Sequence, residues 1–101
     1  MISFEKAKMG KRLMKQFMAE EELEKAAFIG LMYQMPIRAG DAVTLRKSDL
    51  DGRNVLKASS KYGKLYTNRH GNPYRITRQL QSLLNSVNGD SDFIFTRKKE
   101  Y

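Results

Sequence analysis

With 101 residues the chain is sized for one small domain, residues 1–101, near the lower end of what sustains its own hydrophobic core. It has no cysteine, which excludes a disulfide framework and thiolate metal sites, and its single histidine, His70, cannot build a histidine-rich one, so neither metal nor cofactor is expected. A formal net charge of +8 and a pI of about 9.9 favour an anionic partner, with nucleic acid ahead of a membrane surface.

In chain order, Ser3 can cap a helix whose apolar positions Phe4, Leu13, Met14, Phe17 and Met18 recur at three- and four-residue intervals, weakened in the middle by Gly10. The acidic run Glu20 to Glu24 suits the first turn of a second helix, where carboxylates meet the positive end of the dipole. That helix is expected to run to about Met35. It is apolar on nearly every side from Ala26 to Tyr33, which marks a central, buried helix, and Gly30 allows a neighbour to approach closely. The same apolar stretch is far too short to span a bilayer, and the N-terminus lacks an apolar core with a cleavage site, so no membrane and a cytoplasmic location are expected. Pro36 ends the helix.

A third, shorter helix is predicted from Arg38 to about Lys47, closed by the turn-forming cluster Ser48 to Gly52. Asn54 to Ser59 and Lys64 to Thr67 then read as the strands of a hairpin around Ser60-Lys61-Tyr62-Gly63, and Asn68 to Pro73 as a loop. Leu80, Leu83, Leu84 and Val87 give the clearest amphipathic helix, with Thr77 as cap, Gly89 as stop, and Gln79, Gln81 and Asn85 on the polar face. Asp92 to Thr96 is an apolar tail that either adds an edge strand or tucks into the core, ahead of Arg97, Lys98 and Lys99. The expected fold class is therefore α+β and mainly helical: three N-terminal helices, a small antiparallel hairpin or sheet, a C-terminal amphipathic helix and a short tail.

Where the positive charge sits is more informative than its sum. Residues 38–79 carry ten basic against three acidic side chains, whereas residues 1–37 carry six against five. Arg38, Arg46, Lys47, Lys57, Lys61, Lys64, Arg69, Arg75 and Arg78 are accordingly the candidates for contact with the phosphates of double-stranded DNA. Arg38 and Asp41 follow an apolar helix in a segment whose Ala42, Val43 and Leu45 look buried, and a charge held against a core needs a partner or a task. Three apart on a short helix, the two are candidates to pair with each other. No phosphate-binding G-x-x-x-x-G-K-[ST] loop, dinucleotide fingerprint or hydrolase triad is present, and His70 sits in a turn. The remaining chemistry is cationic. An arginine clamps a phosphate with a planar fork of donors, and a lysine on a hairpin supplies a point charge.

Phe28 to Leu50, FIGLMYQMPIRAGDAVTLRKSDL, resembles the first conserved box of the tyrosine recombinases, the phage integrase family. There an apolar helix leads through a turn into an arginine followed three residues later by Asp or Glu. Leu45 and Ser48-Asp49-Leu50 fit the family's continuation ahead of a β-sheet. Ser60-Lys61-Tyr62-Gly63-Lys64 is similar to its β-hairpin lysine motif, with tyrosine in place of the usual threonine, and DFIFTRK from Asp92 to Lys98 is similar to its aromatic-rich stretch. The resemblance implies a partial tyrosine-recombinase catalytic core. Arg38 would be the first catalytic arginine, gripping the scissile phosphate, Lys61 the lysine that protonates the leaving oxygen, with Lys64 as runner-up, and Asp41 a supporting acid.

The family's second box, His or Lys followed at three residues by Arg, has no counterpart after Phe93-Ile94-Phe95, and Tyr101 comes too early in the family's order to be its nucleophile. A DNA-binding protein lacking complete strand transfer is thus expected, in a bacterial or phage-infected host cell. The alternative is a phage- or mobile-element-encoded interaction module that binds a recombinase-like protein or a second copy of itself.

Overall fold

The computed structural model describes residues 4–95. The Ser3 cap, the basic run Arg97-Lys98-Lys99 and Tyr101 lie outside them. The order of elements is α1 (Phe4–Ala19), α2 (Leu23–Gln34), α3 (Ala39–Val43), a 3-10 turn (Lys47–Asp49), β1 (Leu50–Asp51), β2 (Asn54–Val55), β3 (Tyr74–Arg75) and α4 (Arg78–Ser86). The fold is α+β, four helices with a three-stranded antiparallel sheet in the order β1-β2-β3.

The α2 helix is the hub, packing on α1, α3 and α4. Its Ala26, Ala27, Phe28 and Leu31 are buried with Met14 of α1 and Leu80, Leu83 and Leu84 of α4, and Val55, Ile76, Ile94 and Phe95 complete the core. Two glycines set how closely the helices approach. A Cβ on Gly30 would lie 2.8 Å from Leu80 Cδ1 and 3.0 Å from Met14 Sδ, so the expected close neighbour at Gly30 is α4 together with α1. At Gly10 a Cβ would lie 2.5 Å from Tyr33 Cβ.

The Gly10→Ala variant is therefore expected to melt at a lower temperature than the parent. Alanine gains about 1 kcal/mol of helix propensity, but overpacking against a Cβ that cannot rotate away costs ~1–3 kcal/mol. Gly30→Ala meets only the ends of flexible side chains and should lose less. Thermal circular dichroism orders the two, and a Gly10→Ala melt at or above the parent's would refute the close α1–α2 packing.

Local signals place α4 as the sequence predicts. Thr77 is its N-cap, with Oγ1 accepting from Leu80 N at 3.3 Å, and the chain leaves through Asn88 and Gly89, both at positive φ. Gln34 at the end of α2 clamps that cap, donating to Thr77 Oγ1 at 3.1 Å and accepting from Thr77 N at 2.9 Å.

The structure corrects the sequence reading at three places. The third helix stops at Val43 instead of continuing to Lys47. Thr44 Oγ1 turns back to the carbonyls of Gly40 and Asp41, and the next residues extend to meet the tail: Ile94 N donates to Leu45 O, Arg46 bridges to Phe93, and Lys47 N donates to Asp92 O at 2.7 Å. Asp49 and Gly52 do not simply end a helix, because the segment between them enters the sheet as β1 and turns through Gly52 at φ 60° into β2. The predicted hairpin forms only as an irregular arm. Ala58 bridges Leu65, with Ser59 N donating to Lys64 O and Tyr66 N to Lys57 O, while β2 takes its two ladder partners from β1 and β3.

Of the two fates open to the tail, the described residues take the second: it tucks into the core and adds no strand to the sheet. Phe93 bridges to Arg46 at the surface, and Ile94 and Phe95 are buried. Among the described residues no helix is long and apolar enough to cross a membrane.

Candidate functional site

The turn that Pro36 imposes after α2 leads to Arg38, which is the extended N-cap of α3. The 57–66 arm folds over this turn, and Asp41 ties the two together. Its side chain is 1% exposed, with Oδ1 accepting from Ser60 N at 3.2 Å and Oδ2 from the Tyr66 hydroxyl at 2.6 Å. The same hydroxyl accepts from Arg38 N at 3.2 Å. One carboxylate thus holds the arm's tip and, through Tyr66, the backbone of Arg38.

The proposed Arg38–Asp41 ion pair is not formed. Asp41 spends its acceptors on Ser60 and Tyr66, and the Arg38 guanidinium lies 5.2 Å from the centroid of the Tyr62 ring. Burial alone would raise the Asp41 pKa. Hydrogen bonds from Ser60 and Tyr66, with the positive charge of Lys57, outweigh it and hold the carboxyl below its ordinary value. Burial, and the hydrogen bond to Asp41, push the Tyr66 phenol up.

Between the turn and the arm lies an open cleft of about 410 Å³ lined by Pro36, Arg38, Tyr62, Lys64, Leu65 and Tyr66, with Ser59 and Thr67. Lys61 is not part of this lining, but its Nζ stands 5.3 Å from the centroid of the same Tyr62 ring. Arg38 and Lys61 therefore meet at one aromatic side chain, and Lys64 is the second cation in the cleft wall. Lys57 lies near enough to act on Asp41.

The other candidate cations are placed elsewhere. Arg46 stacks on Phe93 at 4.5 Å and stands 3.9 Å from Asp92, and Lys47 donates to the Gly89 carbonyl, so both brace the tail. Arg75 is on the exposed side of β3, Arg78 opens α4, and Arg69 sits in the 68–73 loop, donating to His70. The motifs single out Lys61 and Arg38 but not Tyr66 or Leu65. Tyr66 lies in a weakly patterned, irregular segment of the arm, where nothing local marks its hydroxyl as a bridge.

Comparison of the chain with protein-family models, with curated proteins and with solved structures finds no match.

Proposed function

We propose that this chain is a DNA-binding protein built on a partial tyrosine-recombinase core, working in the cytoplasm of a bacterial or phage-infected cell. It engages the DNA phosphate backbone through Arg38 and the Lys61–Lys64 arm. The observation that carries the reading is the meeting of Arg38 and Lys61 at Tyr62, beside a cleft whose described lining includes Arg38 and Lys64 and no acidic side chain. Asp41, buried and hydrogen-bonded through both carboxylate oxygens, fixes the two cation-bearing segments relative to each other, the supporting role the family resemblance implies for it. The order of an apolar helix, a short helix beginning just after Arg38, an antiparallel sheet and a further helix also fits that resemblance.

Two cations can stabilise charge on a phosphate, but a nucleophile needs an activating base and fixed geometry.

Duplex binding followed by fluorescence anisotropy over a salt series tests this. Affinity should fall steeply as salt rises, because each neutralised phosphate releases counterions. Arg38→Ala and Lys64→Ala should each weaken binding and reduce the log–log salt slope by about 1. Binding that is undetectable at low salt, or indifferent to salt, would refute the reading. A stable oligomer in dilute solution that ignores DNA would instead support the interaction module.

A further inference from the structure

We infer that the cleft between the Pro36–Arg38 turn and the 57–66 arm holds one unpaired nucleotide of single-stranded DNA, its base stacked on Tyr62 and its phosphate between Arg38 and Lys64. This rests on the DNA-binding reading above and specifies its ligand. Tyr62 is 63% exposed even with Arg38 and Lys61 over its ring, and Leu65 in the same cleft wall is 49% exposed. An aromatic ring and a leucine left open in a concave wall offer an apolar face that backbone phosphates do not need. A base supplies that face only when it is unpaired, because in a duplex both of its faces are covered by neighbouring bases.

The charge arrangement matches such a ligand. Arg38 and Lys64 line the cleft, Lys61 stands at the Tyr62 ring, and the nearby Asp41 carboxylate is buried with its acceptors engaged by Ser60 and Tyr66. An arginine beside a tyrosine can also extend the stacking surface, since the guanidinium is planar and packs on base faces as well as on rings. A volume of about 410 Å³ lies in the range of small-ligand sites, enough for a nucleotide. The arm that carries Tyr62 is itself fixed: Gly63 N donates to Ser59 O at 2.7 Å and Tyr62 N to Ser59 Oγ at 3.4 Å, so the ring is presented from a closed turn.

The test compares a fluorescein-labelled oligothymidylate with a blunt duplex of the same length, for the parent chain, Tyr62→Ala and Tyr62→Phe. The parent should bind the single strand more tightly than the duplex. Tyr62→Ala should weaken single-strand binding about tenfold, the scale of one base–aromatic stack, and duplex binding, which loses only the ring that holds Arg38 and Lys61, by a clearly smaller factor. Tyr62→Phe, which keeps the ring, should stay close to the parent, and unchanged circular dichroism will show that all three fold alike. Single-strand binding that ignores Tyr62→Ala, or equal affinity for both forms, overturns this inference while duplex binding preserves the broader reading. Failure to bind either DNA overturns both.

Discussion

Phe95→Ala is expected to lower the free energy of unfolding by ~3–5 kcal/mol, the usual cost of emptying an aromatic site in a packed core. Phe95 is 1% exposed and meets Phe28 edge to face, with ring centroids 6.1 Å apart at 87°. Its position is set by the residues just before it. Asp92 accepts from Ser48 N at 3.0 Å and Ser48 Oγ at 3.1 Å, its carbonyl accepts from Lys47 N, and Asn88 Nδ2 donates to Phe93 O at 2.8 Å. The tail is thus a strap fastened at the surface and plugged into the core. In a domain of this size the total stability is only about 5–15 kcal/mol, so the variant should melt at least 10 °C or so below the parent. Phe95→Leu, which keeps most of the volume, should lose markedly less. Chemical denaturation measures both, and a Phe95→Ala midpoint near the parent's would show that the tail contributes nothing to the core.

The second large effect is expected at Asp41. Asp41→Ala leaves the Ser60 amide and the Tyr66 hydroxyl without their acceptor, and hydrogen bonds to a charged group contribute about 1.5–3 kcal/mol each, so ~3–6 kcal/mol of stability should be lost. DNA affinity should fall as well, although Arg38 and Lys64 are untouched, because the Tyr66 hydroxyl no longer ties the Arg38 backbone to the arm. Asp41→Asn, which retains a carbonyl oxygen, should be intermediate in both measurements. A variant as stable as the parent but weak in DNA binding, or the converse, would separate the two roles and refute the single-brace arrangement.

The same pair gives stability a pH window. Asp41 is depressed below 3.8 in the folded chain, so its contribution is fully present above the unfolded carboxyl value of about 3.9 and is lost as pH falls through the depressed one. Tyr66 is raised above 10.0, so its contribution is present below that value and disappears as pH rises through the higher one. Urea unfolding across pH should therefore show an acid limb that flattens in Asp41→Asn and an alkaline limb that flattens in Tyr66→Phe. Unchanged limbs in both variants would mean that neither group is held as described.

The helices and their limits are largely written in the local sequence. The three- and four-residue spacing of Leu80, Leu83, Leu84 and Val87, the Thr77 cap and the Gly89 exit locate α4 without reference to anything distant, because side-chain periodicity and backbone sterics act within one or two turns. The apolar character of Ala26 to Tyr33 marks α2 as the central helix for the same reason, and Gly30 within it is a point of close approach. Strands of two residues carry no such period, so the choice of β1 and β3 as partners for β2 was not legible.

Nor was the end of α3. It is decided by hydrogen bonds from Leu45 to Lys47 toward a tail some fifty residues later, and a backbone offered partners across the fold leaves the helix its own residues would continue. The concentration of positive charge between residues 38 and 79 follows from composition alone. That Asp41 answers Ser60 and Tyr66 instead of Arg38, and that Arg38 and Lys61 meet at Tyr62, follows only from the folded arm, since a buried carboxylate takes the donors that reach it in space, whatever their separation along the chain.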